Sequence, residues 1–163
     1  MSAQKIMTFL WFTDQAEEAA EFYVSVFGGD SRIVETTRYP ESFPGQAGSV
    51  MTVVFELAGQ QYTALNGGKQ DWSFNESISL SVDCATQEEV DDLWTKLTAD
   101  GGEEGPCGWL KDKYGLSWQI VPSFLSERLS AGDDPAAVDR MVAAMMKMKK
   151  LDVAELRAAY EGK

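Results

Sequence analysis

The sequence predicts an α+β chain in which a β-α-β-β-β unit is used twice and followed by a helical tail. Three observations carry this. The first is an internal repeat: residues 14–29 read DQAEEAAEFYVSVFGG and residues 85–102 read ATQEEVDDLWTKLTADGG. Glu17 and Glu18 correspond to Glu88 and Glu89, Phe22 and Tyr23 to Leu93 and Trp94, Val26 to Leu97, and Gly28-Gly29 to Gly101-Gly102. The second is that period-two segments flank both copies. The third is the change to helical periodicity after residue 122.

The leading strands are expected over residues 6–12 and 78–82. In the second, Ile78, Leu80 and Val82 alternate with Ser77, Ser79 and Ser81, so an apolar face can pack while a serine face meets water or a ligand. Each helix opens on a capping pattern, Asp14-x-x-Glu17 and Thr86-x-x-Glu89, whose first side chain accepts from an orphan amide of the opening turn. Ala16, Ala19, Ala20, Tyr23 and Phe27, then Val90, Leu93, Trp94 and Leu97, recur at helical spacing, and each copy closes on glycine. Strands follow over 31–38, 49–57 and 60–65, the last two joined at Ala58-Gly59. In the second copy they are expected over 103–110 and 116–121.

The modules therefore span 5–67 and 74–122 of one 163-residue domain, with the Gly-rich polar stretch 66–74 as linker. The tail, 123–163, has an N-cap at Asp134 before Pro135. Val138, Met141, Val142, Met145 and Met148 form an apolar stripe, which suits packing on the sheet or on a second copy. Lys147, Lys149 and Lys150 suit a last helical turn. Asp152-x-x-Glu155 opens a final helix with Val153, Leu156 and Tyr160 inward.

A chain of this size hides roughly 70% of its unfolded surface, enough for a sizeable core. With 14 basic against 26 acidic residues the net charge is −12, which disfavours nucleic acid, since phosphate binding relies on cationic side chains. There is no histidine. Ser-His-Asp and Cys-His catalysis and a two-histidine iron site are thereby excluded. Cys84 and Cys107 are too few for a disulfide framework and are not spaced as Cys-x-x-Cys. No apolar run approaches the roughly 18 residues of a membrane span. The first residues run directly into a strand, so no signal peptide and a cytoplasmic location are expected.

Residues 16–29, AEEAAEFYVSVFGG, and 107–122, CGWLKDKYGLSWQIVP, resemble the PhnB-like branch of the vicinal oxygen chelate superfamily. That superfamily includes glyoxalase I, bleomycin-resistance proteins and extradiol dioxygenases, and the branch is often labelled 3-demethylubiquinone-9 3-methyltransferase. The resemblance implies an eight-stranded curved cup, a homodimer and a small-molecule pocket inside the curve. It also implies four metal-ligand positions in metal-dependent relatives, which fall here on Thr8, on Ala64 or Asn66, on Ser77 and on Gln119. None supplies an anionic or imidazole ligand, and neutral oxygens alone hold a divalent transition ion poorly. No metal and no cofactor are therefore expected. The first strand runs into Asp14-Gln15-Ala16 without a glycine, unlike the Gly-rich turn of common S-adenosylmethionine enzymes, and no P-loop or dinucleotide fingerprint occurs.

With Thr8 and Gln119 facing the cup, the expected lining is Thr8, Leu10, Phe12, Tyr62, Ala64, Asn66, Ser77, Ser79 and Gln119, with Phe55 beside them. Trp11 and Trp118 would then face the helices. Trp72 and Phe74 stand in the linker as a lid or a hinge plug. The expected function is metal-free binding of a small organic ligand in the cup. The alternative is an enzyme acting through Glu76, Asp71 or Cys107, and a weaker one is a partner-binding module working through the tail. Neither nucleic acid nor membrane is expected as a partner.

Overall fold

Both copies of the repeat fold as β-α-β-β-β modules, and each module closes its own four-stranded mixed sheet. The computed structural model describes residues 4–132 and 134–163, which fall into two units, Met1–Trp72 and Ser73–Lys163.

The first unit runs β1 (Thr8–Phe12), α1 (Ala16–Phe27), β2 (Arg32–Arg38), β3 (Val50–Leu57) and β4 (Gln60–Asn66). Its strand order is β1-β4-β3-β2, with β1 parallel to β4 and the other pairs antiparallel. Ala16, Ala19 and Ala20 bring α1 close to the sheet, and Tyr23 fills the remaining space. All four are fully buried. The Tyr23 ring stacks on Phe55 at 5.9 Å, and Phe55 stacks on Tyr62 at 5.6 Å. Small helix residues thus leave room for large strand residues, as close packing requires.

The register fixes which residues share this helix-facing side. Thr8, Leu10 and Phe12 lie beside Tyr62, Ala64 and Asn66, and Val53 and Phe55 lie beside Ala64 and Tyr62. The side expected to line a cup is therefore the side beneath α1, where Leu10, Phe12, Phe55 and Ala64 are core. Trp11 takes the opposite face from the one expected. Its indole N–H donates to the Gly68 carbonyl at 3.0 Å, and its ring meets Trp72 edge-on at 5.3 Å. The ring covers Gly67 so closely that a Cβ there would lie 2.1 Å from it.

The capping box expected at Asp14 is not made. Gln15 occupies the N-cap without a side-chain bond. Asn66 takes over from a distant strand: its Oδ1 accepts from the Ala16 amide at 2.8 Å, and its Nδ2 donates to the Val50 carbonyl at 3.1 Å.

The second unit runs β5 (Ser79–Cys84), α2 (Gln87–Thr98), a 3-10 turn (Ala99–Gly101), β6 (Glu103–Glu104), β7 (Trp109–Lys111) and β8 (Ser117–Pro122). The order is β5-β8-β7-β6. Here the capping pattern is made: Thr86 Oγ1 accepts from the Glu89 amide at 3.2 Å, while the Glu89 carboxylate accepts from the Ala85 amide at 2.8 Å. The strand expected over 103–110 is split by a turn in which Cys107 and Gly108 both have positive φ, 57° and 83°. Asp112, 2% exposed, organises the turn into β8. Its carboxylate accepts from the amides of Tyr114 and Leu116 and from the Trp118 indole N–H, at 2.9, 3.1 and 2.9 Å.

The tail consists of α3 (Ser123–Ala131), α4 (Pro135–Met145) and α5 (Val153–Glu161), with Asp134 and Asp152 accepting from Ala137 and Glu155 amides as N-caps. The methionine stripe is largely core: Met141 is buried with Leu125, Leu151 and Leu156, and Met145, Met148 and the sheet residue Val121 pack against them. The tail is also tied to the module by backbone, since the Cys107 and Gly108 amides donate to the Met148 and Lys149 carbonyls at 2.8 Å. Lys147, Lys149 and Lys150 follow the end of α4 rather than lying in its last turn. Among the described residues no helix is long and apolar enough to cross a membrane.

Replacing Asn66 with Ala removes a helix cap and leaves the Ala16 amide without its acceptor. The expected cost is about 1–2 kcal/mol. Hydrogen exchange should show faster opening of the first turn of α1, with α2 unaffected. Unchanged protection at Ala16 would show that the cap is dispensable.

Candidate functional site

The second sheet has two unlike faces. Leu80, Val82, Leu110, Trp118 and Ile120 fall on one parity of the register, the side on which α2 lays Val90, Leu93, Trp94 and Leu97. The other parity carries Ser79, Ser81, Trp109, Lys111, Ser117 and Gln119. This is the serine face anticipated from the alternation. The Gln119 amide donates to Ser79 Oγ at 2.9 Å, which leaves its oxygen to accept.

A cleft of about 480 Å³ opens at the β6–β7 side of this unit. Trp109, Leu110, Lys111 and Ser117 line it from the strands, Gly105, Pro106 and Cys107 from the turn, and Glu76, Glu103 and Glu104 from the rim. Its size falls within the usual range for small-molecule sites. Ser117 is fully buried, yet its hydroxyl has no hydrogen-bond partner among the described residues. A buried hydroxyl without a partner is destabilising by about 1–3 kcal/mol.

Lys111 and Glu76 form an ion pair of 2.6 Å at the cleft. The Lys111 ammonium, hydrogen-bonded to Glu76, holds that carboxyl below the ordinary carboxylate range. The same hydrogen bond, with the Glu76 and Glu103 charges, raises the Lys111 ammonium above its ordinary value. The pair is intact above the normal glutamate range and is lost as pH falls through the depressed Glu76 value. Glu76 is consequently a poor general base.

Cys107 stands in the left-handed region, its Sγ 3.7 Å from the Met146 thioether, an arrangement that supplies neither base nor cation to activate it. Cys84 is buried, and burial together with the Glu89 and Asp83 charges pushes its thiol up to about 12.

Of the nine residues expected to line a ligand site, Ser79 and Gln119 are brought together on the open face. Ser77 precedes β5, exposed, with its amide donating to Asn75 Oδ1 at 2.9 Å. Thr8, Leu10, Phe12, Tyr62, Ala64 and Asn66 share the α1-facing side of the first sheet. Asp71 is exposed near the end of the first unit, Trp72 leans on Trp11, and Phe74 is half-buried in the second unit. Among the described residues no three histidine, cysteine or acidic side chains are grouped to hold a metal ion. Ser117, Trp109, Lys111 and Glu103 were not anticipated as site residues. Ser117 was within reach of sequence reasoning, because it stands two residues before Gln119 on the same strand.

The family described as 3-demethylubiquinone-9 3-methyltransferase matches residues 4–121. A PhnB protein from Bacillus cereus is 40% identical over 73% of this chain and 99% of its own, with a TM-score of 0.64. The fosfomycin resistance protein FosX from Mesorhizobium loti is 15% identical, over 80% of this chain and 99% of its own, with a TM-score of 0.55. FosX from Listeria monocytogenes, solved with manganese(II) and sulfate, is 19% identical over 79% and 99%, with a TM-score of 0.53. At those identities the FosX proteins share the fold. No match is found among curated proteins.

Two outcomes follow from the site geometry. Ser117→Ala removes the unpartnered hydroxyl, so the ligand-free protein should gain about 1 kcal/mol in denaturant unfolding. A loss of that size would instead reveal a hydrogen bond at Ser117. Under an alkylating reagent at mildly basic pH, the half-buried Cys107 should label before unfolding and Cys84 only after it. Early labelling at Cys84 would contradict its burial and raised pKa.

Proposed function

We propose, for a chain that belongs to the PhnB-like 3-demethylubiquinone-9 3-methyltransferase family of the vicinal oxygen chelate superfamily, that it is a small-molecule-binding protein. It holds an organic ligand without a metal, on the open face of the second sheet. The observation that carries this reading is the buried, unpartnered Ser117 hydroxyl at the wall of a roomy cleft. Ser79 and Gln119, already hydrogen-bonded to each other, extend the polar face beside it, while Trp109 supplies apolar area. Apolar burial provides most of the affinity of such a site, and the hydroxyls and amide set orientation.

The donor chemistry favours binding without a metal. Of the positions expected to carry ligands in metal-dependent relatives, Thr8, Ala64 and Asn66 lie beneath α1, with Asn66 committed to the Ala16 amide. The open face of the second sheet offers the neutral side chains of Ser79, Ser117 and Gln119, with no three acidic, cysteine or histidine side chains grouped among the described residues. Methyl transfer by the common S-adenosylmethionine route has no support here, because β1 runs into α1 through residues 13–15 without a glycine and the sheets are small and mixed. The manganese of the Listeria monocytogenes FosX structure is not carried over, for want of ligands. The enzymatic alternative would draw on Glu76, Asp71 or Cys107. Glu76 and Cys107 do line the cleft, but one is held as an ion-paired carboxylate and the other lies against a thioether.

A homodimer acting in the cytoplasm completes the proposal. The support is a set of apolar side chains left exposed on first-unit strands, Phe9 at 58%, Ile33 and Val34, which a self-complementary interface would cover. Light scattering should then return twice 18.0 kDa; the single-chain mass would remove the dimer from the proposal.

The binding reading is tested by a thermal-shift screen of aromatic and amphiphilic metabolites on the wild type and on Gln119→Leu. A ligand at a hundred times its Kd stabilises by about 2.7 kcal/mol. Losing the amide should reduce affinity by about 1 kcal/mol and shrink the shift accordingly. Hits that shift both proteins equally would place the binding away from the Gln119 amide.

A further inference from the structure

We propose that the cleft of the second unit takes a compact organic cation: a ring seated on Trp109, an ammonium or amidinium group against the Glu103 carboxylate, and a hydrogen-bonding group at the Ser117 hydroxyl. This deepens the binding reading above and rests on it.

The charges at the cleft are unequal in number and in commitment. Glu76, Glu103 and Glu104 line it against one cation, Lys111. Lys111 is already taken, 2.6 Å from Glu76. Glu104 turns toward the helix side, where it accepts from the Trp94 indole N–H at 2.7 Å and lies 3.8 Å from Lys149. Glu103 differs. It pairs with Lys111 across β6 and β7, so its side chain shares the open face. Its carboxylate makes no hydrogen bond or close ion pair among the described residues, feeling the Lys111 charge only at longer range.

An incoming anion would therefore find its natural partner neutralised and two carboxylates nearby. A cation would find Glu103 available and the face of Trp109, whose quadrupole attracts positive charge. The −12 net charge of the whole chain acts in the same sense, raising the local concentration of cations. The volume admits one ring system with a short arm. Ser117 Oγ can donate or accept, so it asks of the ligand only a polar atom within reach of the floor. The acidic rim alone would indicate nothing but a solvated surface. The buried, unpartnered hydroxyl beneath it makes the same place a binding site.

Three probes of one shape and different charge test this by isothermal titration calorimetry: tryptamine, neutral tryptophol and anionic indole-3-acetate, on the full chain at low salt and neutral pH. Tryptamine should bind more tightly than indole-3-acetate by on the order of tenfold, and the gap should close at about 0.5 M salt. Glu103→Gln should weaken tryptamine about fivefold and leave tryptophol unchanged. Ser117→Ala, Trp109→Leu and Glu103→Gln are each checked for an intact fold by circular dichroism. If all three probes bind equally and Trp109→Leu abolishes them, the cleft remains a small-molecule site and the cation assignment is overturned. If none binds at millimolar concentration, or if Trp109→Leu leaves binding untouched, both readings fall together.

Discussion

Side chains alternate along a strand, so a helix laid across a sheet claims one parity of residues and leaves the other to some different fate. In both modules this division governs everything else. Beneath α1 the claimed parity is Leu10, Phe12, Phe55 and Ala64; beneath α2 it is Leu110, Trp118 and Ile120. The released parity in the second sheet is largely polar, and the Ser79–Gln119 pair, the Ser117 hydroxyl and much of the cleft lining belong to it. The polar surface of the second sheet is thus set by what its helix does not cover.

That division was legible in one module and misread in the other, for a physical reason. In the second, serines alternate with branched apolar residues, and composition alone assigns the faces. In the first strand every residue from Phe9 to Phe12 is large and apolar, so composition is silent and the parity was set by aligning Thr8 with a ligand position. The deciding information lay in α1, where three alanines make a shallow face that demands bulk opposite it. Pairing Leu10 and Phe12 with that face, and sending Trp11 to Gly67 and Gly68, is a packing argument across elements that a strand read alone cannot make.

Other departures have the same origin. The helix cap expected from Asp14 is supplied by Asn66, distant in sequence, because β4 ends beside the first turn of α1. The strand expected over 103–110 is interrupted because residues 105–108 must turn. The repeat, the helices, the caps at Thr86, Asp134 and Asp152 and the glycine after α1 were local signals and were read correctly. The cleft was the least legible part: it needs β6 to lie beside β7, a non-local fact, before Glu103 and Lys111 become neighbours.

Gly108 carries a consequence for how the module and the tail are joined. A Cβ at that position would stand 3.0 Å from the Ile120 carbonyl and 3.0 Å from the Leu151 side chain, and its φ is positive. The family match ends at residue 121, whereas Leu151 belongs to the tail that begins at Ser123. Part of the crowding at Gly108 is therefore imposed by the tail, through Leu151. The turn and the tail therefore constrain one another, since Leu151 occupies the space that a side chain at residue 108 would enter. Glycine there answers two demands at once, the left-handed turn of the module and the close approach of the tail.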